Sequence, residues 1–275
     1  MILEQGQEFR STLRAAVETL KPEATCALLF SGGTDSLTVL WTLLDLGIKP
    51  TCYTFRLAEK ESTDSRAAAK ATETWNVPHK MVAVPSSDVQ RLAEETGKVV
   101  RIIGSGRKTH VEVMWAYWHM LQQVQEKQVW SGLQADTLYG SSRSMAIRHS
   151  KKVAAEFAEA RRILLAKPGQ EGLAQAIRLA DQFGKQLCAP YTDQRVREFM
   201  FRFSWKELNR PRQKMPAVLG FSGEYAQTAI YRKNDNLQCG SGTREVFARL
   251  LDDSGINPWE HRSPAKLYAA LGGLL

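Results

Sequence analysis

The chain has 275 residues, is 43% hydrophobic and carries a formal net charge of +8, enough for a sizeable core in one large α/β domain or a domain with a helical addition. No apolar run reaches the length of a membrane span, and Met1-Ile2-Leu3-Glu4-Gln5 lacks the basic-then-apolar pattern of a secretory signal. The four cysteines, Cys26, Cys52, Cys188 and Cys239, are too widely spaced for a zinc pair or a Cys-x-x-Cys redox motif, so a reducing, cytoplasmic setting is expected.

Residues 7–20 predict an amphipathic helix with Phe9, Leu13, Ala16, Val17 and Leu20 on one side. Strands near 24–30, 51–57, 79–84 and 128–131 then alternate with helices near 36–46, 62–75, 86–96 and 110–125. That alternation predicts an α/β fold with a parallel, doubly wound sheet that binds its ligand at the C-terminal strand ends. Beyond about residue 142 the strand signals fade. Residues 143–165, 173–184, 193–208, 222–231 and 243–252 read as helices, with breaks at Pro168-Gly169, Gly172 and Pro211. The expected organisation is an α/β core over 1–141 and a mainly helical half over 142–275, together one continuous domain.

Between the first strand and its helix lies Ser31-Gly32-Gly33-Thr34-Asp35-Ser36. Such a loop brings backbone N–H groups and hydroxyls onto one phosphate group at a helix N-terminus. Its glycines remove Cβ atoms that would block the approach. Asp35 repels a bare phosphate, so it implies Mg²⁺ between carboxylate and polyphosphate. The order departs from the Walker A pattern, which ends in Gly-Lys-Ser/Thr. A plain glycine turn is the competing reading, and Asp35 and Ser36 weigh against it. The loop resembles the PP-loop of the N-type ATP pyrophosphatases. That resemblance implies cleavage of ATP between the α and β phosphates and adenylation of a substrate oxygen.

Further along, Gln128-Val129-Trp130 precedes Ser131-Gly132-Leu133-Gln134-Ala135-Asp136-Thr137-Leu138-Tyr139-Gly140. Asp136 stands just past a strand end, as a second metal ligand or as a helix N-cap. Ala189-Pro190-Tyr191-Thr192-Asp193 follows, and Tyr231-Arg232-Lys233-Asn234-Asp235 leads into Gly240-Ser241-Gly242. In this order, over roughly residues 20–245, the segments resemble the synthetase domain of asparagine synthetases and β-lactam synthetases. Their second motif reads Ser-Gly-x-Gly-Ala-Asp-Glu-Leu-Phe-Gly-Gly.

By that resemblance Ser31, Gly32, Gly33, Thr34, Asp35 and Ser36, with Gly132, hold pyrophosphate, and Asp35 and Asp136 hold Mg²⁺. Backbone near Leu29 and Phe55 holds the adenine of ATP. Lys233 is the cation that stabilises charge on the α-phosphate, with Lys214 as a rival and Arg232 as a further phosphate contact. A solvated surface lysine is the plainer reading of Lys233. The chain departs from the family at Leu133, Gln134 and Thr137, and before Pro190, where an acidic-then-arginine pair is absent. The acceptor is therefore expected to differ from aspartate. No glutaminase segment with a Cys nucleophile precedes the loop, so ammonia, a substrate amine or a separate glutaminase is expected to supply the nitrogen.

The charge excess lies in residues 138–275 and is densest at Arg195, Arg197, Arg202, Lys206, Arg210, Arg212 and Lys214. Substrate phosphate is the first reading of this cluster, a solvated face the second and a polynucleotide the third. No two of the five histidines pair at metal spacing. His110 at a helix start, Arg143 and Arg148 after the second motif, and Glu156 on the next helix are positional candidates only. The expected function is an ATP-dependent, AMP-forming amide ligase acting on a small carboxylate. The alternatives are a PP-loop enzyme that modifies a nucleobase, tRNA or DNA, and a non-catalytic nucleotide-binding module.

Overall fold

In the computed structural model Ile2–Thr19 forms α1, and its predicted apolar side is buried: Phe9, Leu13, Ala16 and Val17 are all fully covered. The structure describes residues 2–166, 172–228, 237–256 and 263–274. The chain then runs through β1 (Ala27–Leu29), α2 (Thr34–Asp45), β2 (Thr51–Leu57), α3 (Thr63–Thr74) and β3 (His79–Val84). It continues through α4 (Val89–Ile103), α5 (Lys108–Gln123), β4 (Gln128–Trp130), α6 (Ala135–Tyr139), α7 (Arg143–His149), α8 (Ala154–Ala166) and α9 (Leu173–Gln182). β5 (Gln186–Cys188) follows. After it come α10 (Gln194–Phe201), α11 (Trp205–Asn209), α12 (Met215–Gly220), α13 (Ser222–Thr228), α14 (Leu237–Gly240), α15 (Thr243–Asp253) and α16 (Ser263–Leu271).

The five strands form one sheet of order β3-β2-β1-β4-β5, and every pairing is parallel. β1 and β4 are buried at every residue, as strands covered on both faces must be. One face packs Leu28, Phe30 and Trp130 against α1, α2, α3 and α6. The other packs Ala27, Leu29, Phe55 and Val129 against α4, α5, α9 and α15. The doubly wound parallel architecture expected from the alternation is what the chain forms.

The strand order reverses between β1 and its neighbour β4. In open α/β sheets the crevice at that reversal, above the C-terminal strand ends, is where ligands bind. The Ser31 loop leaves β1 there and the Ser131 loop leaves β4 beside it.

The structure departs from the sequence expectations in the second half. β5 was not expected, and it carries residues 186–188 into the same sheet as the first four strands. It is a three-residue edge strand with an exposed Gln186, too short to show a pattern. Residues 143–165 divide into α7 and α8, and 193–208 into α10 and α11, where Ser204 caps the new helix with Glu207 in a capping box. α4 runs on to Ile103, and α16 adds a helix that the sequence reading lacked.

Candidate functional site

The chain leaves the sheet at Phe30, whose N–H donates to Tyr53 O (2.8 Å) and whose carbonyl accepts from Thr54 Oγ1 (2.7 Å). The loop then turns through Gly32 at φ +66°. A Cβ there would stand 2.6 Å from Ala68 N, so the loop lies directly on the backbone of α3. Gly33 is the N-cap of α2 and brings no side chain to its free N–H groups. The loop ties itself together instead: Gly33 N donates to Ser31 Oγ (3.3 Å) and Ser36 Oγ donates to Gly33 O (3.1 Å). Thr34 and Asp35 occupy the first turn of α2.

The second loop begins with Ser131, whose N–H donates to Cys188 O of β5 (2.9 Å) and whose hydroxyl meets that of Tyr117 (3.1 Å). Gln134, in the left-handed conformation at φ 72°, is the N-cap of α6. Asp136 is therefore not the cap; it sits within the first turn and accepts a hydrogen bond from Ser141 Oγ (2.6 Å).

α6 has only five residues, and side chains from elsewhere take the carbonyls at its end. Arg161 Nη1 donates to Leu138 O (2.6 Å), Asn209 Nδ2 to Tyr139 O (2.7 Å) and Trp205 Nε1 to Gly140 O (2.9 Å). All three donors are buried. This answers the need of a helix C-terminus for acceptors' partners and fixes the turn that carries Asp136.

Lys214 joins the two loops. It is the N-cap of α12, in the left-handed conformation at φ 62° and ψ 42°. Its Nζ lies 2.7 and 2.6 Å from the two carboxylate oxygens of Asp35 and 2.8 Å from Asp136 Oδ1. The lysine side chain is 1% exposed, that of Asp35 19% and that of Asp136 52%. The triad thus has a closed side, filled by the lysine, and an open side formed by carboxylates. Burial pushes the Asp35 carboxyl up to about 6, opposed by the Lys214 ammonium and reinforced by Asp136. Burial works against the lysine charge, but Asp136 and Asp35 outweigh it and hold the ammonium above the ordinary lysine value. In formal charge the group is two carboxylates and one ammonium.

Under this site Thr38 Oγ1 donates to Asp35 O (3.0 Å) and meets the Tyr191 hydroxyl (2.7 Å). Tyr139 lies beneath the lysine, with Nζ 5.7 Å from its ring centroid. Sequence reasoning named the segments that hold Tyr139 and Tyr191 but not this support, and it missed Ser141, Arg161, Trp205 and Asn209. Ser141, directly after Gly140, is the one with a local signal.

Leu29 and Phe55 lie at the C-terminal halves of neighbouring strands and are buried, 5% and 3% exposed. The Gly240-Ser241-Gly242 turn reaches the same end of the sheet. Thr63 Oγ1 donates to Gly240 O (3.2 Å), and Gly242 lies against Leu57. Arg232 and Lys233 lie outside the described residues. Asp193 caps α10 by accepting from Arg195 N (2.8 Å).

The basic cluster is not one surface. Arg195 pairs with Asp193 (2.7 Å), Arg197 donates to Gln134 Oε1 (2.9 Å), Arg202 pairs with Glu8 (2.8 Å) and Arg210 stacks on Trp205. Lys214 pairs with both aspartates. His110 meets Ser105 Oγ (3.1 Å), and Glu156 is an exposed carboxylate beside Lys152. Arg143 and Arg148 are exposed.

Among the described residues no group of three or more His, Cys, Asp or Glu side chains could hold a metal ion. A pair of carboxylates suits Mg²⁺ that also takes phosphate oxygens and water. Asp35 and Asp136 converge on one point and fit that donor set. No helix among the described residues is long and apolar enough to cross a membrane.

A model of the asparagine synthase family matches residues 8–187, a span that contains both loops, α6 and the first four strands and ends within β5. The chain belongs to the asparagine synthase family, whose members are ATP-dependent adenylating ligases. No curated protein sequence matches it. Among solved structures, it is similar to a predicted subunit of tRNA methyltransferase from Methanocaldococcus jannaschii, with 12% identity, 87% of this chain and 94% of that chain covered, and a TM-score of 0.37. It is also similar to NMN synthetase from Francisella tularensis, with 14% identity, 86% and 99% covered, and a TM-score of 0.34. Likeness at that level adds nothing to the family assignment.

Proposed function

We propose that the chain is an AMP-forming amide ligase. An acceptor carboxylate attacks the α-phosphorus of ATP and pyrophosphate leaves. Ammonia or an amine then displaces AMP from the acyl-adenylate to give the amide. The observation that carries this reading is the convergence of Asp35 and Asp136 on one ammonium, each with a carboxylate oxygen within 2.8 Å of Lys214 Nζ, at the switch point of the sheet. Leaving pyrophosphate carries charge that fixed cations stabilise more in the transition state than in the ground state.

In this reading the N–H groups at Gly33 and the first turn of α2, with the Ser31 and Ser36 hydroxyls, bind the leaving phosphates. Asp35 and Asp136 would hold Mg²⁺, which when bound supplies positive charge to the polyphosphate. Lys214 places its ammonium at the same end, and Gly132 gives the loops room to close on it. Backbone beside Leu29 and Phe55 takes the adenine. By the family pattern, Lys233 stabilises charge at the α-phosphate and Arg232 contacts phosphate. Cys26, Cys52 and Cys188 are buried and in no disulfide, which favours a reducing, cytoplasmic setting. Nitrogen would come from free ammonia, a substrate amine or a separate glutaminase.

One observation favours a second reading. Arg143, Arg148, Lys151 and Lys152, just beyond α6, are exposed, a placement suited to an acceptor carried on a nucleobase or on RNA. The test is ATP–pyrophosphate exchange against panels of carboxylates, nucleobases and RNA, followed by product analysis with and without ammonia. Exchange that depends on a small carboxylate supports the ligase. Exchange that depends on RNA and falls steeply with salt supports the second reading. Nucleotide binding without exchange under any acceptor contradicts both.

A further inference from the structure

The Lys214 ammonium stands at the point that a cation shared by Asp35 and Asp136 has to occupy. It contacts both oxygens of Asp35 and one of Asp136 at 2.6–2.8 Å. We infer that Lys214 is a resident counter-ion that keeps divalent metal out of the nucleotide-free site, so that metal enters only together with a polyphosphate.

The inference rests on the proposed metal–nucleotide role of the two aspartates, and three features of the site carry it. The first is reach. Lys214 is held at its backbone as the left-handed N-cap of α12, with its carbonyl accepting from Val218 N (3.1 Å), so its side chain reaches both aspartates from a fixed starting point. The second is burial. With 1% of the side chain exposed, the ammonium has no water to retreat into. It leaves the carboxylates only for another anion, because an unpaired buried charge is strongly disfavoured. The third is charge. Two carboxylates and one ammonium sum to −1, and adding a bare dication makes the pocket net positive with two cations in contact range. A polyphosphate seated on the Ser31–Ser36 loop removes both obstacles. It brings the compensating negative charge, and it offers the ammonium new oxygens on the side where Asp136 is open to solvent.

The consequence is an order of binding. A free metal ion meets carboxylates already paired with a protein ammonium, and a metal–nucleotide complex meets a site that can exchange its lysine for the metal and pass the lysine to phosphate. Lys214 thereby guards the aspartates against divalent ions that arrive without substrate.

The experiment is an electron paramagnetic resonance titration of Mn²⁺ alone into the nucleotide-free full chain, comparing wild type with Lys214→Met and Lys214→Met/Asp35→Asn. Circular dichroism checks the fold of each. Wild type is expected to show no tight site. Lys214→Met is expected to bind Mn²⁺ about tenfold more tightly or better, because it removes the competing charge and keeps the length of the side chain. The double variant is expected to lose that gain. Equal Mn²⁺ affinity in wild type and Lys214→Met, whether weak or strong, overturns the inference. Should Lys214→Met not fold, wild type is compared with Asp35→Asn. Mn²⁺ binding that Asp35→Asn leaves unchanged supports the inference, and tight binding that it abolishes overturns it. A separate arm adds α,β-methylene-ATP with Mn²⁺ to wild type. Failure of that complex to bind counts against the ligase reading and leaves the nucleotide-free comparison decisive for Lys214.

Discussion

Gly132 is pressed against the backbone of Asp35. A Cβ built on Gly132 would stand 2.8 Å from both the carbonyl carbon and the Cβ of Asp35. The loop after β4 and the helix after β1 therefore meet only because one of them has no side chain, and their meeting is what brings Asp136 to the lysine shared with Asp35. Gly132→Ala is expected to part the loops. Misplacement of reacting groups by about 1 Å costs on the order of 10²-fold in rate, and overpacking costs about 1–3 kcal/mol of stability. Pyrophosphate release and urea denaturation measure the two effects. Unchanged turnover in a folded variant would mean that the approach of the loops is not used.

Asp35→Asn and Asp136→Asn keep shape and remove charge. Each is expected to lower pyrophosphate release by about 10²–10³-fold, the scale on which fixed charge at a reacting centre acts, with near-ultraviolet circular dichroism retained. Turnover that survives in either variant would remove that carboxylate from the mechanism.

The raised Asp35 carboxyl sets a pH dependence. Its folded value of about 6 lies above its ordinary 3.8, so between those values the folded chain binds more protons than the unfolded one. Its contribution to stability is therefore present at low pH and falls as pH rises through about 6. Holding a cation requires the ionised form, so binding of Mg²⁺–ATP is expected to rise across that same pH. Calorimetric titration from about pH 5 to 8 tests the direction, and affinity that is flat or falls through pH 6 contradicts it.

The end of α6 gives a prediction about stability. Trp205→Phe keeps the aromatic body and strands the Gly140 carbonyl, for an expected loss of about 1–3 kcal/mol. Arg161→Met strands two carbonyls, those of Leu138 and Phe203, and is expected to cost more than Trp205→Phe in chemical denaturation. An equal or smaller loss would show that water replaces the guanidinium.

Much of the first half of this fold is legible in the sequence, because its signals are local. Ala27–Leu29 is a buried apolar run, Leu37, Leu40 and Leu43 repeat at helical spacing, and the Ser-Gly-Gly turn stands between them. The same holds for β2, β3 and β4. β5 is not legible: three residues at a sheet edge, one of them exposed, carry no period. Nor is the place of Lys214, because its contact with Asp35 spans 179 positions and depends on a left-handed backbone at a non-glycine residue. The basic run from Arg195 to Lys214 misleads for a related reason. Sequence density says nothing about partners, and Asp193, Gln134, Glu8 and Trp205 each claim one of its members.

The most direct test of the account is ³¹P nuclear magnetic resonance of ATP during turnover with an acceptor found by the exchange panel. The account predicts AMP and pyrophosphate in equal amounts, with both lost in Asp35→Asn. ADP and inorganic phosphate as the primary products would contradict it.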